Sequence, residues 1–409
     1  MRATCFIVST VLVFGCGSGT ELPLISNETR AALDEVLRSV VSAGDVPGVV
    51  ALVVDGGTVL YLSAAGVMDA QGAEAMRSDA IFRIASMTKP ITSLGIMILQ
   101  EEGMLSIDDP ASNYLPELAG REVLVNVDVG NSSVTTRPAS RPITIKDLLR
   151  HTSGFGYTFS SPELLEVASR TSIPARDHPI LHDPGTRWTY GMSTAFLGWM
   201  IEEISGQSLS EFLVSRITGP LGMEDTSFEL AREDHDRLVT TYRRVNATLE
   251  SQSQPDEYQA VGRGDGGLLS TASDYGRFVQ LILGGGELDG IRLVGEASIA
   301  EMAQDQLDGI TVVEQPSALP ARSKAFPLGA GKDGFGLGFQ VSVGESAGGR
   351  PPGSLSWAGI QNTHFWIDPW NGIGVVLLLQ LLPFYDEKAI ELMSTFERTL
   401  YDGLESPGG

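Results

Sequence analysis

Strand-forming runs occupy both ends of this chain, and helix-forming runs fill the stretch between them. At the N-terminal end "TRAALDEVLRSVVSA" (29–43) carries apolar residues at helical spacing. The β-branched runs "GVVALVVD" (48–55) and "TVLYLSAAG" (58–66) follow, joined by Gly56-Gly57, which predicts an antiparallel hairpin. A helix is expected from near Ser86 through "ITSLGIMILQEEG" (91–103). Others are expected over "TIKDLLRHTSGF" (144–155), "STAFLGWMIEEISG" (193–206) and "SLSEFLVSRITGPLG" (208–222). "TASDYGRFVQLILGGG" (271–286) opens another, with Thr271 or Ser273 as its cap. Strands return at 335–343, 364–369 and 372–380, and a last helix covers 386–402. This order predicts an α/β fold: an antiparallel sheet flanked by helices, interrupted by a mostly helical insertion. The expected sheet domain is residues 26–85 plus 265–409, and the helical domain is 86–264. The cleft between them is the default ligand site.

The chain of 409 residues carries 51 acidic and 28 basic residues, a net charge of −23. Such a surface repels phosphate backbones, so nucleic acid is excluded as a partner. Residues 1–25 read as a targeting segment and linker. Arg2 precedes the apolar run "CFIVSTVLVFG" (5–15), which is too short to span a bilayer. "VFGC" (13–16) is similar to a bacterial lipoprotein signal, so export is expected, with Cys16 as the lipid attachment point or with ordinary secretion instead. Membrane contact is expected only through that anchor. Cys5 and Cys16 are the only cysteines, which leaves the mature chain without a disulfide or a thiol nucleophile. His178 and His182 stand four apart, but Pro179 between them argues against a helix-borne metal pair. No metal or other cofactor is expected.

Two serines compete for the role of nucleophile. "GESAGG" (344–349) reads G-x-S-x-G around Ser346, but the elbow this pattern marks needs a following helix and a triad order of Ser, acid, His. His364 is the only later histidine, no acid lies between it and Ser346, and "ESAGGRPPGS" has loop composition. "IASMTKP" (84–90) holds S-x-x-K instead, with Ser86 and Lys89 one turn apart on a helix N-terminus. A serine hydroxyl needs a neighbour to take its proton. A lysine can serve as base if its charge is disfavoured, or can support a second base by staying charged. S-x-x-K alone is a weak signal, and its context decides.

That context resembles the serine β-lactamase and penicillin-binding-protein superfamily, in the branch shared by class C β-lactamases, D-amino-acid-releasing peptidases and family VIII carboxylesterases. The likeness covers about 30–400. It rests on "FRIASMTKPIT" (82–92), "ITIKDLLRHTSGF" (143–155), "PGTRWTYGMSTAFLG" (184–198), "ISGQSLSEFL" with "GPLGMEDTSF" (204–228), "GDGGLLSTASDYGRF" (264–278) and "WAGIQNTHFWIDP" (357–369). The resemblance implies a β-lactamase-like fold and a catalytic set of Ser86, Lys89 and Tyr190. Tyr190 would act as base and then acid, since a nearby ammonium favours phenolate. It also implies that Trp357-Ala358-Gly359 replaces the family's Lys-Thr-Gly on an edge strand, with the backbone N–H groups of Ser86 and Ile360 as the oxyanion hole.

Two departures bear on substrate. Met192 stands where Tyr-x-Asn has its asparagine, with Ser193 one place late, and Trp357 stands where a cation is usual. Neither supplies the amide or the charge that hold a β-lactam. Met192, Ser193, Trp357, Ala358 and Gly359 are thus expected to line a pocket without that anion hook, suited to neutral esters. Family VIII carboxylesterases resemble the chain in these respects and share a segment between "YLPE" (114–117) and "RPIT" (141–144), expected to border the cleft. The leading expectation is an exported serine esterase. An amide hydrolase, either β-lactamase or D-amino-acid peptidase, is the alternative, and a non-catalytic envelope binding protein is the third. The substrate would be a small ester or amide; oligomeric state is not legible.

Overall fold

The computed structural model describes residues 25–69, 74–128, 133–252 and 262–404. Residues 1–24, in which the export signal is expected, with Cys5 and Cys16, lie outside them. The main sheet contains β1 (Gly48–Asp55), β2 (Val59–Asp69), β3 (Glu74–Ala75), β4 (Gly334–Phe335), β5 (Gln340–Val341), β6 (Leu355–Gly359), β7 (Thr363–Asp368) and β8 (Ile373–Leu378). Their order is β4-β5-β6-β7-β8-β1-β2-β3, so the two ends of the chain meet where β1 pairs with β8. Every pairing is antiparallel.

β1 is buried at all eight positions because both faces of the sheet are covered. Val49, Ala51 and Val53 share an apolar cluster with Leu33 and Leu37 of α1 (Asn27–Ser42) and with residues near the C-terminus. Val50, Leu52 and Val54 point the other way, into a cluster that runs without a break into the helical middle. That second cluster takes in α2 (Thr88–Glu101), α3 (Ile145–Leu149), α4 (Ser193–Ser205) and α5 (Ala272–Leu283). Each fully buried Val or Leu contributes about 1.5–3 kcal/mol. α6 (Glu387–Asp402) closes the outer face with Phe396 and Leu400. Side-chain caps fix the helix starts: Ser26 accepts from Thr29 N, Thr271 from Asp274 N, and Asp386 from Lys388 N.

Four local expectations change. The helix over 144–155 is only Ile145–Leu149 long, because the chain leaves it through left-handed His151 (φ 58°). Buried Asp147 closes a capping box with Thr144 and also accepts from Arg141 and Thr152. The expected strand 335–343 is the hairpin β4–β5, which turns through Gly338 (φ 108°). The helix over 208–222 is α-helical for Leu209–Leu213 and widens into a π turn at Val214–Thr218. Part of the stretch between "YLPE" and "RPIT" forms the hairpin Glu122–Asp128 with Ser133–Pro138, and its residues line a surface pocket beside Ser160 and Gln315. None of its described residues lines the cleft that holds Ser86.

Candidate active site

Ser86 sits in a 3-10 turn, Ala85–Met87, that runs directly into α2. The residue before it, Ala85, has φ 45°, a conformation an alanine adopts only under constraint. The constraint comes from both sides. Ile84 N donates to Leu268 O at 3.1 Å, and Thr363 Oγ1 on β7 donates to Ile84 O at 3.3 Å. Tyr275 Oη on α5 donates to Met87 O at 3.0 Å. Gly359 at the end of β6 completes the arrangement. A Cβ there would lie 2.3 Å from Ile84 O and from Thr363 Oγ1, so only glycine lets β6 pack against the turn carrying the serine. β5 pairs only with Leu355 and Ser356, which leaves Trp357-Ala358-Gly359 with one free edge beside the cleft.

Lys89 is 2% exposed. Its ammonium donates to Ser86 Oγ at 3.2 Å, to Tyr157 Oη at 3.1 Å and to the Asp265 carbonyl at 2.6 Å. Three acceptors use all three ammonium protons. Tyr157 Oη in turn donates to Asp265 Oδ2 at 2.5 Å, so this hydroxyl is occupied both as donor and as acceptor. Burial first, and then the Asp265 charge, push the Tyr157 hydroxyl far above its ordinary pKa. Asp265 is buried, and burial alone would raise its pKa; the Lys89 charge and the bonds from Arg263 win and hold it below the usual range.

The Tyr190 ring lies 4.8 Å from Lys89 Nζ, and its hydroxyl accepts from Trp357 Nε1 at 3.4 Å. Gly191 brings it there: a Cβ on that residue would sit 2.1 Å from Phe155 O. The close backbone contact sets the rings of Tyr190 and Tyr157 edge to face at 5.4 Å. Under Tyr190 lies fully buried His151, 5.0 Å ring to ring, held neutral by burial and by the Lys89 charge.

A cleft of about 450 Å³ joins these groups. Ser86, Tyr190, Trp357, Ala358 and Ile360 line it, together with Tyr157, Asp265, Arg263 and Arg322, which the sequence reading did not single out. Tyr157 follows "HTSGF" by two residues and Asp265 lies inside "GDGGLLS", so position in a recognised segment was the available signal. Nothing marked Arg322. Met192 and Ser193 do not line the cleft: Met192 is buried, and Ser193 Oγ shares a hydrogen bond of 2.8 Å with Ser153 Oγ in the core. Ser346 does not line the cleft that holds Ser86. Its hydroxyl donates to buried Glu397 of α6 rather than to a histidine. Among the described residues no group of three or more His, Cys, Asp or Glu is placed to hold a metal. His178 and His182 bond instead to Ile173 O and to Thr189.

A family model described as beta-lactamase matches residues 33–396, most of the chain. The chain belongs to the beta-lactamase family. Among its relatives is protein Rv1367c of Mycobacterium tuberculosis, 34% identical over 376 residues that cover 85% of this chain and 89% of the relative. Lovastatin esterase of Penicillium rubens is 29% identical, covering 90% and 98%. A simvastatin synthase variant from Aspergillus terreus shares the fold with a TM-score of 0.80 at 24% identity, covering 92% and 95%. As a member of the beta-lactamase family with this site, the chain is a serine hydrolase.

Proposed function

We propose that this protein is an exported serine esterase that cleaves carboxylic esters through an acyl-enzyme on Ser86. The observation that carries the reading is the set of hydrogen-bond partners around Lys89. Bonded to Ser86 Oγ, Tyr157 Oη and the Asp265 carbonyl at once, the Lys89 amine is placed to orient the serine. Tyr157 is locked by Asp265. Tyr190 receives only the long bond from Trp357 and remains for general-base work. With the Lys89 charge nearby, Tyr190 takes the Ser86 proton while Oγ attacks the ester carbonyl. The backbone N–H groups of Ser86 and Ile360 receive the oxyanion. Collapse of the tetrahedral adduct breaks the bond to the alcohol oxygen, and Tyr190 returns the proton to that leaving group. Water then repeats the sequence on the acyl-enzyme.

The choice of esters over β-lactams rests on Trp357. Its indole fills the third-motif position and spends its only N–H on Tyr190, so that position offers a β-lactam carboxylate no charge. The name of lovastatin esterase among the relatives supports the same choice. Export rests on the apolar run 5–15 and on Cys16. We expect kcat/KM for a short p-nitrophenyl ester to exceed that for benzylpenicillin by at least about a thousandfold, roughly 4 kcal/mol of transition-state stabilisation. A panel that adds a D-alanyl amide checks this. Comparable values for ester and lactam would contradict it.

A further inference from the structure

The described arginines mostly sit against carboxylates, as in Arg141–Asp147, Arg237–Asp225, Arg244–Asp386 and Arg263–Asp265. That is the expected outcome in a chain with 51 acidic and 28 basic residues. Several depart from it, Arg121 and its unpaired buried Nε among them, and two of these are neighbours near the cleft. Arg322 lines the cleft with Ser86, and among the described residues its guanidinium makes neither an ion pair nor a hydrogen bond. Arg243, on the short strand Tyr242–Val245, has a buried Nε with no acceptor. The two are close enough that the Arg243 charge, after desolvation, pushes the Arg322 pKa down. Arginine stays protonated all the same. Two like charges therefore lie close together, one of them in the cleft of the catalytic serine, and among the described residues neither is paired with a carboxylate.

The backbone does not let Arg322 drift away from this position. Phe384 N donates to Arg322 O at 2.9 Å, and Arg322 N donates to Leu319 O at 2.8 Å. Leu319 N is in turn tied to the carbonyl of Phe159, itself a cleft residue. Arg243 is held by the register of its strand, where it pairs with Leu382, two residues before Phe384. Arg263, the other guanidinium in the cleft, is already committed to Asp265. Arg322 is the cleft cation that still has its full set of donors to give.

We propose that Arg322, backed by Arg243, is a substrate anion site, so that the enzyme prefers esters bearing a free carboxylate some distance from the scissile bond. This rests on the esterase reading of Ser86. A planar guanidinium receives a carboxylate with two parallel N–H bonds, and the second cation strengthens the field on the bound anion. Arg322 stands on the loop Leu319–Phe326 and not on β6, so it does not replace the third-motif cation.

The test compares the mono-p-nitrophenyl ester of adipic acid with p-nitrophenyl hexanoate, in the parent enzyme and in Arg322→Ala and Arg322→Gln. The ratio of kcat/KM, anionic over neutral ester, should fall about tenfold in both variants. In the parent the ratio should also fall as NaCl rises from 50 to 500 mM, and this salt dependence should weaken in the variants. An unchanged ratio overturns the proposal and leaves the esterase reading intact. A second measurement needs no turnover: calorimetric binding of adipate to Ser86→Ala should weaken about tenfold when Arg322→Ala is added. Equal affinity overturns the anion site, whatever the esters do. Loss of neither ester activity in Ser86→Ala overturns the esterase reading instead.

Discussion

Two tyrosines flank Lys89, and their hydrogen bonds separate their roles. Tyr157 donates a hydrogen bond to Asp265 and accepts one from Lys89, which makes it a positioning residue for the lysine. Tyr190 is the candidate base. Tyr190→Phe should therefore lower kcat for p-nitrophenyl butyrate by about a thousandfold, within the range for loss of a general base. Tyr157→Phe should cost about tenfold, because the ammonium keeps Ser86 Oγ and Asp265 O as acceptors. A reversed order of the two losses would exchange the assignments. The structure brings Ser86, Lys89 and Tyr190 together; the spacing of S-x-x-K pointed to the first two, and the family resemblance alone pointed to Tyr190. Asp265 was not legible, because its role arises from burial against Arg263 and Lys89, and Lys89 is 176 positions away. Met192 and Ser193 were misplaced for the related reason that one step along a chain entering a helix turns a side chain by about 100°. Ser193 points to Ser153 and not to the cleft.

At the scale of elements, the site depends on how closely β6 approaches the turn before α2. Gly359→Ala puts a Cβ 2.3 Å from Ile84 O, so either β6 or the Ser86 turn must move. A displacement near 1 Å is enough to cost about a hundredfold in kcat. We expect that loss with a shift in melting temperature of only a few degrees, since the change lies at the edge of the apolar clusters. Full activity in a folded Gly359→Ala enzyme would show that the contact does not set the oxyanion geometry. Long periodic segments such as α1, β1, α4 and α6 were legible to within two or three residues. The breaks inside segments were not. His151 takes a left-handed conformation that its residue type does not announce, and the helix 144–155 ends early there. The turn at Gly338 splits 335–343 in a stretch where alternating apolar residues read as one strand.

The whole molecule carries four histidines whose pKa is pushed down by burial: His151, His178, His182 and His364, the last to about 3. A histidine depressed in the fold binds its proton more readily when unfolded, so acid favours the unfolded chain as pH falls below about 6.5. Asp274 acts in the opposite sense. Burial raises its pKa to about 6, so its cost to the fold is relieved as pH falls from 6 towards 4. Asp333, raised by burial too, acts with Asp274; four groups oppose two, and the melting temperature should drop between pH 7 and pH 4.5. His364→Asn should flatten part of that drop; a parent curve that is level or rises toward acid would contradict the balance. Sheet and helices alike serve to hold one serine beside one buried ammonium, and the most direct test of that claim is the site of a covalent adduct. Treat the enzyme with a p-nitrophenyl alkylphosphonate, digest it, and read the modified peptide by mass spectrometry. The adduct should fall on Ser86, and Ser86→Ala should neither label nor hydrolyse esters, while Ser346→Ala does both. An adduct on Ser346, or an active Ser86→Ala enzyme, would contradict the account.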